Sequence, residues 1–380
     1  MIICPQMKTN ITQKMPARAN NRNILHLTLF VLILTLILFS KESSANKSSR
    51  YNDVCMPDNL TVFHEKIPLD KQFFYEMLER ELIISVCDRA QVFMWIKRSG
   101  RYFPYIEKEL KKRNMPDDIK YLAVAESALL THAQSKAGAV GPWQFMKHTA
   151  RENGLRKDRM ADERRSFEPS TQAALKHLTR LHAMFNSWTL AAAAYNCGES
   201  RLKKSIEQQK VNDYFRLNLP LETERYIFRI AAVKLILENP EKYGFNVSSD
   251  RIYEPIKCDS IKINIKTPLH ITAVAQKIGL DYKDIKELNP QFMGYYLPRG
   301  NHSLKVPPGF GDKLKAAVKG LTQDALKRAK RSPGNIYTVK QGDTLGHISE
   351  KTGIPVRILK QLNSINGSLI KVGQKLRLSP

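Results

Sequence analysis

The sequence predicts a mainly α-helical domain followed by small α+β modules of βααβ form. Three observations carry this. Apolar residues recur at helical spacing from about residue 70 to about residue 240. Beyond Asn246 the β-branched Ile261, Ile263 and Ile265 appear, and a stretch starting at Lys277 recurs 74 residues later at Lys351. With 380 residues there is room for two or three domains, and 42% hydrophobic against 26% charged residues is the balance of a globular chain.

Lys8, Lys14, Arg18 and Arg22 precede an almost unbroken apolar run from Ile24 to Phe39, and no acidic residue comes before it. Residues 1–45 therefore read as an export signal or as a single anchor, with membrane association through residues 24–39. Ser43, Ser44 and Ala45 offer small residues for cleavage after Ala45, and both outcomes stay open. The absence of a cysteine just after the apolar run excludes a lipoprotein anchor. A formal charge of +25 calls for an acidic partner. No helix-turn-helix, zinc-finger or RNA-binding signature accompanies it, so nucleic acid is excluded in favour of a surface such as a cell wall bearing peptide carboxylates. Cys55, Cys87, Cys197 and Cys258 are scattered without C-x-x-C spacing, so no metal site is expected, and no cofactor. Either Cys55 pairs with Cys87 or all four fill buried space.

Residues 46–245 read as the helical domain. The chain is polar and extended to about Pro68, then helical from Asp70 through Leu82, Ile83 and Ile84, again over Val92 to Lys97, and again over Tyr105 to Arg113. A further helix starts at Pro116 and Asp117 and places Ile119, Leu122, Ala123, Glu126 and Leu130 on one face. Glu126 thus sits within an apolar stripe. Desolvation there raises a carboxyl pKa, as a general acid requires, although a glutamate so placed is also a common structural partner for arginine. A turn-rich run from Ser135 to Pro142 follows, and then Trp143, Gln144 and Phe145, an amide and aromatics at a loop able to approach a ligand. After an irregular charged stretch, Ser170 reads as the N-cap of a helix carrying Ala174, Leu178, Leu181 and Phe185. The alanine-rich helix from Trp188 ends at Gly198 and presents Tyr195 and Asn196 at its end. A last helix places Tyr226, Ile230, Val233 and Leu237 on one face.

In the C-terminal part, Lys277 to Asn289 and Lys351 to Asn363 are the two copies of the repeat, each flanked by short strands. Residues 246–310 hold the first copy and 336–380 the second. Between them, 311–335 is rich in Lys and Arg and reads as a basic tether, helical or loose, that raises the local concentration of whatever the last module binds.

Glu126 followed by Ser127, Ser135 nine residues on, G-A-x-G at Gly138 to Gly141 and Q-F-M at Gln144 to Met146 together resemble the soluble-lytic-transglycosylase domain. With Trp143 before Gln144, the pattern is similar to that of the membrane-bound lytic murein transglycosylase D family. The resemblance implies a lysozyme-like fold, a bacterial envelope location such as the periplasm, and non-hydrolytic cleavage of peptidoglycan in which Glu126 serves as both acid and base. The A-Y-N-x-G of Ala194 to Gly198 and the E-T-x-x-Y of Glu222 to Tyr226 match further family motifs. They imply that Ser135, Gln144, Tyr195, Asn196 and Tyr226 hold substrate and orient Glu126. Asp162, Glu163, Arg164 and Arg165 match a D-E-R-R stretch expected to be a salt-bridge cluster. Two departures stand out: Cys197 replaces an alanine, and Thr131 a proline. Were the reaction instead a hydrolysis, as in a goose-type lysozyme, Asp158, Asp162 or Glu163 would have to activate water; a third reading is a non-catalytic wall-binding scaffold whose fold only binds sugar. The second repeat resembles a LysM domain through G-D-T-L at Gly342 to Leu345 and V-G-Q-x-L at Val372 to Leu376. This implies glycan binding by Gly342, Asp343, Thr344 and Ile370, with Asp343 or Thr344 also a helix cap. The first copy has Thr267 to His270 where G-D-T-L would stand.

Overall fold

A computed structural model describes residues 54–331 and 336–378. The expected leader lies outside the described residues, among which no helix is long and apolar enough to cross a membrane. The segment expected to be extended forms a hairpin, β1 (Thr61–Val62) with β2 (Glu65–Lys66). Its turn residues Phe63 and His64 are left-handed, and Val62, Phe63 and Ile67 are buried. Polar contacts pin it in place. The Phe63 N–H donates to the Asp118 carboxylate at 2.7 Å, and the Glu65 carboxylate accepts from the N–H groups of Trp188 and Thr189 at 2.7 and 3.1 Å. Glu65 thereby satisfies orphan donors at the start of a helix from 123 and 124 residues away in sequence.

Helix α1 (Gln72–Cys87) leads into α2 (Arg89–Lys112), a single helix where the sequence suggested two. Pro104 interrupts the pattern but not the helix, because Val92, Trp95 and Ile96 before it and Ile106 and Leu110 after it are all buried. Helix α3 (Ile119–Ser127) stops earlier than expected. Ala128 and Leu129 are both left-handed, and Arg98 donates to the Ala128 carbonyl at 3.0 Å, so Leu130 lies past the helix rather than on its face. After α4 (Lys147–Glu152) and a 3-10 turn at Glu163–Arg165 comes α5 (Phe167–Phe185). Its cap position is Ser166, not Ser170: Ser170 is fully buried in the first turn and donates to the Phe167 carbonyl at 3.1 Å. Pro169 is tolerated there because first-turn N–H groups lack helical acceptors.

Helix α6 (Trp188–Cys197) starts on Ser187, which caps the Leu190 N–H, and ends at Gly198 with φ 89°. Helices α7 (Glu199–Gln209) and α8 (Leu221–Glu224) precede α9 (Tyr226–Glu238). Residues 226–228, 230–233 and 236 of α9 are all buried, so this helix is covered nearly all round, with α1, α3 and α6 packed against it. It is the central rod on which the site is built.

The first module pairs β3 (Asp259–Ile265) antiparallel with β6 (Gly300–Val306), and β4 (Leu269–His270) with β5 (Tyr296–Leu297), around α10 (Ile271–Ile278) and α11 (Tyr282–Leu288). The basic stretch expected to be a tether begins as α12 (Gly311–Arg331), whose Leu314, Ala317 and Val318 are buried in this module's core with Ile271, Val274 and Leu304. Its lysines masked an apolar stripe. The second module repeats the plan with β7 (Ile336–Thr338) and β8 (Lys375–Arg377) around α13 (Leu345–Thr352) and α14 (Val356–Leu362). The repeated asparagine has one job in both copies. Asn289 donates to the carbonyls of Ile285 and Lys305 and accepts from the Lys305 N–H, and Asn363 does the same with Leu359 and Arg377. Each ties the second helix to the last strand.

The first module is joined to the helical domain by more than covalent linkage. The Asp162 N–H donates to the Gln291 carbonyl and the Met293 N–H to the Met160 carbonyl, both at 2.7 Å, while Ala161 sits inside the module's apolar core. Lys305 pairs with Glu168 at 2.6 Å. Cys55 and Cys87 are exposed and free, so they neither pair nor fill buried space, and Cys197 and Cys258 are half-buried and free.

Candidate active site

Glu126 lies in the last turn of α3, partly buried, and accepts a hydrogen bond from the Tyr226 hydroxyl at the start of α9. Burial raises its pKa to about 7, against the opposing effects of the Tyr226 hydrogen bond and the Arg229 charge; Glu222 adds a small push upward. The carboxyl is thus poised to give or take a proton near neutrality, and no arginine grips it. Burial first, and the Glu126 charge second, hold the Tyr226 and Tyr195 phenols well above their ordinary range, so both remain donors. Tyr195 donates to the Trp143 carbonyl at 2.6 Å, which fixes the α6 end against the loop after Gly141. Asn196 accepts from the Thr223 hydroxyl at 2.8 Å, coupling that end to α8.

The loop is built by backbone geometry. Gly141 has φ 88°, and a Cβ there would come within 1.8 Å of the Arg164 carbonyl oxygen, so only glycine fits. Gln144 is itself left-handed and donates to the Gly141 carbonyl at 2.8 Å, while Ser127 donates to the Pro142 carbonyl at 2.8 Å. Arg164 holds the loop from behind through the carbonyls of Gly138 and Phe145, at 3.0 and 2.9 Å, and forks onto Asp162 with two 2.9 Å bonds. Burial pushes the Asp162 carboxyl up, but the hydrogen bond and charge of Arg164 outweigh it and the net shift is downward.

The surrounding residues take the following places. Trp143 and Phe145 do not face a ligand: both are buried, and the Trp143 indole N–H donates to Thr171 at 2.9 Å. Ser135 is exposed and accepts from the Ala139 N–H at 3.0 Å, closing a turn, with no hydrogen bond to Glu126, Tyr195, Asn196 or Tyr226. The alternative water-activating groups are occupied: Asp162 by Arg164, Asp158 by the N–H groups of Met160 and Ala161 and by Arg156, Glu163 by the Arg156 N–H. Sequence reasoning passed over Arg229 and Glu222 as neighbours of Glu126. The available signal was spacing, since Arg229 follows Tyr226 by three residues on one helix.

In the second module Asp343 is fully engaged. It accepts from the Tyr337 hydroxyl at 2.7 Å, the Lys340 N–H at 2.8 Å and Lys351 at 2.9 Å. The Lys340 N–H first, then these side chains, hold it far below the ordinary carboxylate range. Thr344 caps α13 by accepting from the His347 N–H at 3.1 Å. Gly342 turns the chain with φ 82°, and Ile370 packs half-buried against the module's core.

Residues 103–218 match the family described as Transglycosylase SLT domain, residues 260–322 the LysM-like domain of lytic transglycosylase MltD, and residues 337–379 the LysM domain. The matches are thus to an SLT domain followed by two LysM-type modules. The SLT match spans Glu126, Ser135, Gln144, Tyr195 and Asn196 and ends before Tyr226, which the α9 packing supplies. The LysM-like match reaches into α12, in keeping with that helix's place in the module's core. Over 292 residues the chain is 34% identical to the membrane-bound lytic murein transglycosylase D of Escherichia coli K12, covering 74% of this chain but only 64% of that protein's length. Over 88 residues it is 42% identical to the peptidoglycan transglycosylase gp16 of phage T7, 23% of this chain and 7% of that one. The 70 kDa soluble lytic transglycosylase of Escherichia coli overlaps 47% of this chain and 33% of its own, at 14% identity and a TM-score of 0.32.

Proposed function

We propose that this protein is a peptidoglycan lytic transglycosylase that cuts the β-1,4 bond between N-acetylmuramic acid and N-acetylglucosamine without water and leaves 1,6-anhydromuramoyl ends. The observation that carries this is the carboxyl of Glu126, which accepts from the Tyr226 hydroxyl, is raised by burial to about 7 and is free of any arginine clamp. Protonated Glu126 gives its proton to the glycosidic oxygen as the C1–O bond breaks. The resulting carboxylate then removes the proton from the muramoyl C6 hydroxyl, whose oxygen closes onto C1. The substrate supplies the nucleophile, so one carboxyl serves both steps. Tyr226 orients that carboxyl, and Tyr195, Asn196, Gln144 and Ser135 are assigned to the sugar groups on either side. Ser135 has the least support among these, because its hydroxyl already closes a turn.

Hydrolysis is the second reading and fits less well, since Asp158, Asp162 and Glu163 are each tied to donors of their own. Export to the periplasm or cell envelope, with residues 24–39 as signal or anchor, fits the positively charged start of the chain. Peptidoglycan is the acidic partner that the net charge of +25 calls for. In the second LysM module Gly342, Thr344 and Ile370 remain for glycan contact, while Asp343 shapes the loop that carries them. The test is mass spectrometry of muropeptides released from purified walls by the protein and by Glu126→Gln. Products lighter by one water than reducing ends, absent with the variant, are expected. Reducing ends would establish hydrolysis, and unchanged digestion by the variant would remove Glu126 from the chemistry.

A further inference from the structure

A buried ionic cluster that the proposed reaction does not use stands behind the site. Glu81, on α1, is 3% exposed, yet it is ionically paired rather than solvated. Its Oε1 accepts from Arg225 Nε at 2.7 Å and Nη2 at 2.7 Å and from Arg80 at 2.9 Å, and its Oε2 faces Arg229 Nε at 3.7 Å. Arg225 and Arg229 bracket Tyr226 in sequence, one just before it and the other one turn after it on α9. A carboxylate buried to this degree costs several kcal/mol to desolvate, and apolar residues at such a position are often as stable or more so. Its presence so close to the segment that carries Tyr226 asks for a role beyond packing.

We propose that Glu81 is a positioning residue for the reaction, drawing Arg225 and Arg229 toward α1 and so holding the start of α9, with the Tyr226 hydroxyl, against Glu126. This rests on the assignment of Glu126 as the acid. The charged and titratable groups facing Glu126 are Tyr226 and Arg229 from α9, Glu222 from α8 and Tyr195 from α6. Arg229 is the one cation among them, and its charge favours the ionised carboxylate, the wrong form for the first step. Glu81 offsets that charge, its Oε2 facing the Arg229 Nε at 3.7 Å. Arg225, held at two nitrogens, keeps the start of α9 from rotating, and with it the Tyr226 hydroxyl.

The test is the pH dependence of kcat/KM for anhydromuropeptide release, whose basic limb reports loss of the Glu126 proton in the free enzyme. Glu81→Gln unshields Arg229, and the basic limb is expected to move to lower pH by about one unit, the scale at which a neighbouring opposite charge acts on a carboxyl. Arg229→Gln is expected to move it the other way, and the double variant to stay with Arg229→Gln, because Glu81 acts on Glu126 through Arg229. Arg229 is about a third exposed, so its replacement keeps the test alive even where Glu81→Gln folds poorly. A basic limb that stays in place in Arg229→Gln while activity merely falls would mean that the cluster only packs, and would overturn the proposal. Should Glu126→Gln retain activity, the assignment of the acid fails first and this proposal falls with it. The two failures are distinguishable because the Glu126 variant is assayed in parallel.

Discussion

Replacing Tyr226 by phenylalanine keeps the ring, which is 1% exposed and part of the core, and removes only the hydroxyl that donates to Glu126. A hydrogen bond to a charged group contributes about 1.5–3 kcal/mol, and about 1.4 kcal/mol corresponds to one pH unit, so its full loss would raise the Glu126 pKa by about 1–2 units. Glu126 is only partly buried, so water replaces some of that bond and the lower end of the range, about one unit, is expected. The carboxyl also loses an orienting contact, and the maximal rate should fall roughly tenfold or more, since small misplacements of a catalytic group are costly. The assay is initial release of anhydromuropeptides from purified walls across pH 5 to 10, with a thermal melt to confirm folding. The basic limb should move from near pH 7 toward alkaline values. A limb that stays put, or moves acidward, would show that Tyr226 does not stabilise the ionised form, and the reasoning would be refuted.

Other substitutions test other joints. Arg164→Ala strands the Asp162 carboxylate, 2% exposed, with only Lys157 at 3.4 Å, and should cost about 3–5 kcal/mol in denaturant unfolding, the usual penalty for breaking a buried pair. Because pairing depresses the folded pKa of Asp162, this contribution is present above the ordinary aspartate range and is lost as pH falls through the folded value, so wild type and variant should converge in acid. Ala161→Asp places a carboxylate in the first module's apolar core and should loosen the module, seen as faster proteolysis between residues 246 and 258. Asp343→Asn should lower the temperature at which the protein is released from walls, because that side chain holds Tyr337, Lys340 and Lys351 together. An unchanged release temperature would show that the loop does not depend on it.

The meeting of Glu126 with Tyr226 was legible in the sequence, and the charged groups packed around that pair were not. Glu126 and Tyr226 stand 100 residues apart and meet because α3 and α9 pack side by side, which their motifs indicated without any knowledge of packing. The end of α3 was misplaced because Ala128 and Leu129 adopt left-handed backbone without the glycine that usually announces it. Ser166 and Ser170 both precede suitable helical patterns, and only the burial of Ser170 tells them apart. In α12 the lysines drew attention from Leu314, Ala317 and Val318, whose spacing was as helical as any in the chain. Glu81, Arg225 and Arg229 read as ordinary charged helix positions because their partners lie 144 and 148 residues away.

The proton affinity of Glu126 is the balance of a drying site, a donor and a cation, and each can be changed separately. Removing the Tyr226 donor destabilises the anion and pushes the basic limb up. Unshielding Arg229 by removing the Glu81 charge stabilises the anion and pushes it down. Loss of folding, poorer substrate binding or a slower conformational step would lower the rate in both variants without moving the limb in opposite directions. Opposite shifts therefore assign the limb to the Glu126 proton, and equal or absent shifts assign it to another group. A wall-binding defect gives a third pattern: Asp343→Asn alters how long the protein stays on its polymer but leaves the limb where it was, since that carboxylate belongs to the second module and not to the site.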